Sequence, residues 1–181
     1  MAKKTKQHYV DNKALLAEMI KFRAEVQEAK EKNLPRPIVS NYIGDCIMKI
    51  AEHLSYRPNF INYTYKEDMI CDGIENCLLY IDNFDPNKSK NPFAYFTQII
   101  YYAFIRRIQK EKKQMYVKYK SLENADLIEE IMHSSDGSKV KNTYLDFIQT
   151  NMGDFLEEFE QSQRNKKNKR GRKSKEEANS I

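Results

Sequence analysis

Apolar side chains recur along the first two thirds of the chain at the three- and four-residue steps of a helix. Leu15, Met19, Phe22 and Val26 stand at i, i+4, i+7 and i+11. They predict a helix over 12–33, with Asp11 or Asn12 as cap and Pro35 and Pro37 as its stop. A second helix is expected from near Ser40 to about Tyr56, with Ile43, Ile47, Ile50 and Leu54 as its stripe and Pro58 ending it. A third begins at Thr64, where Thr64 and Glu67 have the spacing of a capping box. Its predicted apolar face is Ile70, Ile74, Cys77, Leu78 and Ile81. The polar turn Phe84-Asp85-Pro86-Asn87-Lys88-Ser89-Lys90 follows, and then Asn91-Pro92 reads as an N-cap with Pro at the first helical position. The fourth helix is expected from Pro92 to about Gln114, with Phe93, Phe96, Ile100 and Phe104 on one stripe and Tyr95, Ile99 and Tyr102 on another.

Beyond Ser121 the pattern weakens. Residues 122–132 fit a short amphipathic helix through Leu122, Leu127, Ile128 and Ile131, and Ser134 to Lys139 read as loop. The fold expected is an all-α compact helical bundle over 12–133 with a flexible C-terminal extension. A flexible basic N-terminus, 1–11, precedes it. A linker with an acidic, hydrophobic segment, 134–160, and a disordered basic tail, 161–181, follow it.

Composition narrows the function. The 181 residues are 40% hydrophobic and 31% charged, which suits a modest core and excludes wholesale disorder. Five Gly and five Pro argue against a Gly-rich nucleotide-binding α/β fold. No apolar run approaches the about 18 residues that span a bilayer. No apolar stretch follows the basic Met1–Gln7, so no signal peptide is expected and a cytoplasmic location is. There is no P-loop, no G-x-S-x-G and no H-E-x-x-H, so an enzyme is not expected. Cys46, Cys71 and Cys77 do not suggest disulfides or a zinc knuckle, and Cys46 and Cys77 read as small buried hydrophobes. No metal or other cofactor is expected. Asp68 and Asp72 lie four apart on one helix face without further ligands nearby, which suits a solvated or partner-facing surface better than a metal site.

The net charge of +5 is unevenly spread. Residues 161–181 carry eight basic and two acidic side chains, or +6, which leaves −1 for the rest. From Phe104 to Lys120 there are seven basic residues and one acidic. The aromatic run before this stretch has two readings. It is a central helix buried all round, or it is a stacking surface on which Tyr95, Tyr101 and Tyr102 hold unpaired bases while Arg106, Arg107, Lys110, Lys112 and Lys113 track phosphates. Residues 143–160 carry five acidic side chains and no basic one. They form either a last helix on the core or a docking peptide anchored by Phe155, Leu156 and Phe159. The tail around Arg170-Gly171-Arg172 reads as a polyelectrolyte arm.

Residues 64–114 resemble region 2 of the sigma-70 family of bacterial RNA polymerase initiation factors. The resemblance rests on Asp68-Met69-Ile70-Cys71-Asp72-Gly73, on Ile81-Asp82-Asn83-Phe84-Asp85-Pro86, and on Phe93-Ala94-Tyr95-Phe96-Thr97 with the aromatic helix behind it. Over most of its length the chain is similar to the late sigma factors of T4-like bacteriophages. The resemblance implies a helical domain that docks on the clamp coiled coil of bacterial core RNA polymerase through Asp68, Asp72 and Glu75. It implies recognition and opening of an AT-rich promoter by Phe93, Tyr95, Phe96, Tyr101, Tyr102, Arg106, Arg107, Lys110, Lys112 and Lys113. It also implies binding of the phage sliding clamp by Phe155, Leu156 and Phe159, and a phage co-activator is a further partner of that kind. The family's tryptophan pair corresponds here to Ile99 and Ile100, and its duplex-reading glutamine to Ala103. Competing classes are a non-sigma helical DNA-binding regulator, and a polymerase- or clamp-binding adaptor without promoter recognition.

Overall fold

The computed structural model describes residues 9–124, 150–166 and 168. The chain divides into two compact units, Met1–Ile108 and Gln109–Ile181. Among the described residues every regular element is helical, and the first unit is an all-α bundle.

Helix α1 spans Asn12–Glu31 and is capped by Asp11, whose Oδ1 accepts from the amides of Lys13 at 2.8 Å and Ala14 at 3.3 Å. The expected stripe Leu15, Met19, Phe22 and Val26 is buried, together with Ala29. The helix stops before the prolines. Asn33 takes a left-handed φ of 52°, and the amides of Asn33 and Leu34 return to the carbonyls of Lys30 and Ala29. This is a Schellman ending with Asn in the usual place of Gly.

Helix α2, Asn41–Ser55, is capped by Ser40 Oγ and buries Ile43, Ile47, Ile50 and Leu54 as predicted. Helix α3, Lys66–Tyr80, departs from expectation twice. Its N-cap is Tyr65, with no side-chain cap bond, so Thr64 sits one position too early for the capping box. Its buried stripe is Met69, Gly73 and Cys77, while Ile70 and Ile74 lie half-buried and Leu78 is exposed. Gly73 explains the rotation. A Cβ there would lie 3.1 Å from Ile100 Cγ2 and 3.2 Å from Phe104 Cε1. The fourth helix approaches the α3 backbone at its one missing side chain. A 3-10 turn, Ile81–Asn83, follows and buries Ile81.

Helix α4, Pro92–Asn124, is ten residues longer than expected. No Gly or Pro interrupts the sequence between Pro92 and Asn124, so nothing local ends the helix at Gln114. Asn91 Oδ1 caps it through the amide of Ala94 at 3.0 Å, and Asn12 Oδ1 accepts from the amide of Phe93 at 3.1 Å. Phe96, Ile100, Ala103 and Phe104 are buried, and Phe96, Ile100 and Phe104 belong to the same core cluster as Ile47 and Cys77. Among the described residues no buried side-chain nitrogen or oxygen lacks a partner.

In the second unit, residues 150–166 form a helix, α5, where a docking peptide was one reading. The expected loop at 134–139, most of the expected helix 122–132, the N-terminal 1–8 and the tail around Arg170-Gly171-Arg172 lie outside the described residues. No helix among the described residues is long and apolar enough to cross a membrane.

Candidate nucleic-acid interface

The burial pattern divides the side chains in the first four turns of helix α4 into a packed set and an exposed set. Phe96 is fully buried. This corrects its assignment to the DNA-contacting set, since a sealed ring has no face for a base. Phe93 is half-buried and meets the ring of Tyr9 edge-on at 5.8 Å. Tyr95 is half-buried as well. Its hydroxyl donates to the carbonyl of Tyr80 at 2.6 Å, its ring leans on Phe84 at 5.3 Å, and burial raises its phenol pKa. These three rings hold the start of α4 in place.

Tyr101 and Tyr102 are different. They are 40% and 52% exposed. Their rings meet near-perpendicularly at 5.7 Å, and Tyr101 rests edge-on against Phe60 at 5.7 Å. Phe60 is buried in the loop after α2 and also braces Phe104 at 5.2 Å. A firm apolar backing thus fixes an outward-facing aromatic pair, which lowers the ordering cost of stacking a ligand on it. Sequence reading missed Phe60 because the contact joins residues far apart in the chain.

The basic residues divide in the same way. Arg106 is exposed one turn beyond Tyr102, and its Nη2 donates to Asn76 Oδ1 at 2.7 Å. Arg107 turns inward. Its Nε donates to Asp72 Oδ2 at 2.7 Å and its Nη2 to Asp72 Oδ1 at 3.0 Å, with Asp68 Oδ1 at 3.9 Å. With only 16% of its side chain exposed, Arg107 ties α3 to α4. Asp72, expected on the polymerase-facing side, thus accepts both bonds of a two-pronged pair with α4. Asp68 and Glu75 remain exposed on α3. Beside Glu75, Leu78, Leu79 and Tyr80 expose large apolar surface, and Leu79 is 66% exposed.

Lys110, Lys112 and Lys113 lie in the second unit and are exposed. In that unit Leu156 is buried, and Phe155 and Phe159 pack on Tyr119 and Tyr116 at ring distances of 5.5 and 4.7 Å. The trio expected to enter a partner's pocket is therefore engaged within the chain. Phe–Leu spacing in an acidic frame serves a packed amphipathic helix as well as a docking peptide.

The remaining chemistry is sparse. Burial pushes the Cys77 thiol up to about 12, while Cys71 is exposed. Among the described residues no three His, Cys, Asp or Glu side chains gather as a metal site. No family model matches the chain, and a search of curated proteins finds no match.

Proposed function

We propose that this protein is a sigma-type initiation factor that directs bacterial core RNA polymerase to AT-rich promoters and assists strand opening, as the late sigma factors of T4-like bacteriophages do. The observation that carries this reading is the Tyr101–Tyr102 pair. Two large rings stand in the open on a helix whose other rings are buried or half-buried, Tyr101 backed by Phe60 and the pair followed one turn later by Arg106. Stacking of unpaired bases on such rings is worth roughly 1–3 kcal/mol each, comparable to the cost of unstacking a step. The part played by charge is catching phosphates, first with Arg106 and then, further along the sequence, with Lys110, Lys112 and Lys113.

Polymerase docking falls to the outer face of α3. Asp68 and Glu75 supply exposed charge there, and Leu78, Leu79 and Tyr80 supply apolar area of the sort found at protein interfaces. Before residue 161 the sequence is nearly neutral, which fits a factor that binds DNA weakly alone and gains specificity on the enzyme. The sliding clamp is the activating partner, raising local concentration by tethering.

The reading is tested by run-off transcription from an AT-rich promoter with core polymerase, with and without this protein. A transcript that depends on the protein is expected. A protein that binds the same duplex tightly as a dimer without polymerase would instead be a conventional regulator.

A further inference from the structure

The lysine-rich half of α4 carries two tyrosines that the promoter-binding account does not use. From Gln109 to Asn124 it holds Lys110, Lys112, Lys113, Lys118 and Lys120 against Glu111 and Glu123. Tyr116 and Tyr119 stand among them at i and i+3, on neighbouring positions of the helix surface. Rings set among ammonium groups are the chemistry that holds a single strand.

Helix α5 covers these rings. Phe159 lies nearly parallel to Tyr116, with centroids 4.7 Å apart and planes at 24°. Phe155 meets Tyr119 edge-on at 5.5 Å. The Tyr116 hydroxyl donates to Glu160 at 3.0 Å, and Met152 and Leu156 are buried. Between residues 150 and 160 the helix carries Asp154, Glu157, Glu158 and Glu160 and no basic residue. A flat ring stacked on a tyrosine beside a carboxylate reproduces, in one peptide, what a base and its phosphate would offer. Tyr116 cannot hold Phe159 and a base on the same ring face.

We propose that Tyr116, Tyr119 and the lysines around them form a further single-stranded DNA-binding surface, and that α5 occupies it in the free protein as an internal mimic of the strand. This rests on the reading that the chain grips unpaired DNA. The two states exclude one another, so whatever draws α5 away exposes the surface.

The test uses the full chain and a fluorescein-labelled oligo(dT) strand, followed by anisotropy. The double variant F155A/F159A undocks α5 without changing any charge. If α5 is docked about nine-tenths of the time, apparent affinity rises about tenfold. The gain should vanish when Y116A and Y119A are added, and Tyr116→Phe, which keeps the ring but loses the bond to Glu160, should give a smaller rise. Both changed phenylalanines lie outside the Met1–Ile108 unit, so an unchanged thermal transition of that unit reports intact folding. Affinity that is unchanged or weaker in F155A/F159A overturns the proposal, as does a gain that survives loss of both tyrosines. Tenfold tighter oligo(dT) binding alongside failed transcription would sink only the polymerase reading. Normal transcription with no gain would sink only this inference.

Discussion

Replacing Gly73 by Ala measures the closeness of α3 and α4. In a helix interior the change removes backbone freedom from the unfolded chain and is worth roughly 0.5–1 kcal/mol in favour of folding. Against this stands the new methyl group, 3.1 Å from Ile100 Cγ2 and 3.2 Å from Phe104 Cε1. Both neighbours are completely buried, and Phe104 is braced by Phe60, so neither has room to retreat. Overpacking of such a site costs about 1–3 kcal/mol. The net expectation is a loss of about 1 kcal/mol, or about 4–8 °C in Tm for a unit near a hundred residues. Gly44 is the internal control, since it lies within α2 and a Cβ there meets nothing within 4 Å. Gly44→Ala should therefore stabilise by roughly 0.5–1 kcal/mol. Thermal unfolding followed by circular dichroism reads both. If Gly73→Ala stabilises as much as Gly44→Ala, α4 does not approach the α3 backbone and the placement of the α4 rings must be wrong.

Other expectations follow from the same packing. Phe96→Ala should cost about 3–5 kcal/mol and unfold the bundle at moderate temperature, whereas Tyr102→Ala should stay within about 0.5 kcal/mol of the parent; urea unfolding separates them. Arg107→Ala strands the partly buried Asp72 carboxylate and should cost about 2 kcal/mol, between the values for surface and buried pairs. Asp68→Ala should leave stability unchanged yet weaken co-elution with core polymerase; equal losses of stability for the two variants would contradict the geometry. With a thiol reagent at neutral pH, Cys71 should react quickly and Cys46 and Cys77 only on unfolding. The Cys77 thiol stays protonated up to about 12 in the folded chain but ionises above the ordinary value of 9.0 when unfolded. Its contribution to stability is complete below pH 9.0 and is lost as pH rises towards 12, so a Cys77→Ala variant should show a flatter alkaline decline in Tm.

Local signals in the sequence translated directly into structure. Asn91 caps the helix it was expected to cap, and of the pair Asp11 and Asn12 it is Asp11 that caps α1, because an N-cap needs only a short side chain and the next few amides. The stripes of α1 and α2 were legible for a similar reason, since one apolar face meets one core. The face of α3 was legible at Cys77 and Ile81 but not at Met69 and Gly73, because a glycine counts as a gap in an apolar pattern when here it is the site of close approach. The ending of α1 was hidden in Asn33, which takes a left-handed turn ahead of the prolines that looked decisive. The candidate site mixed surface with core for want of long-range information. Nothing in Arg106-Arg107 says that the second arginine reaches back 35 residues to Asp72. Tyr101 and Tyr102, by contrast, were nominated by sequence and are exposed. Phe155, Leu156 and Phe159 were expected either in a last packed helix or as the anchors of a docking peptide, and in the structure Phe155 and Phe159 pack on Tyr119 and Tyr116 while Leu156 is buried.

The central claim is that Tyr101 and Tyr102 receive bases once polymerase has separated the strands. Permanganate oxidation of unpaired thymines, on an AT-rich promoter with core polymerase, measures strand opening itself. With the parent protein, reactive thymines should appear, and Y101A/Y102A should lose most of that reactivity while still binding polymerase and melting near the parent temperature. Undiminished thymine reactivity with the double variant would contradict the account.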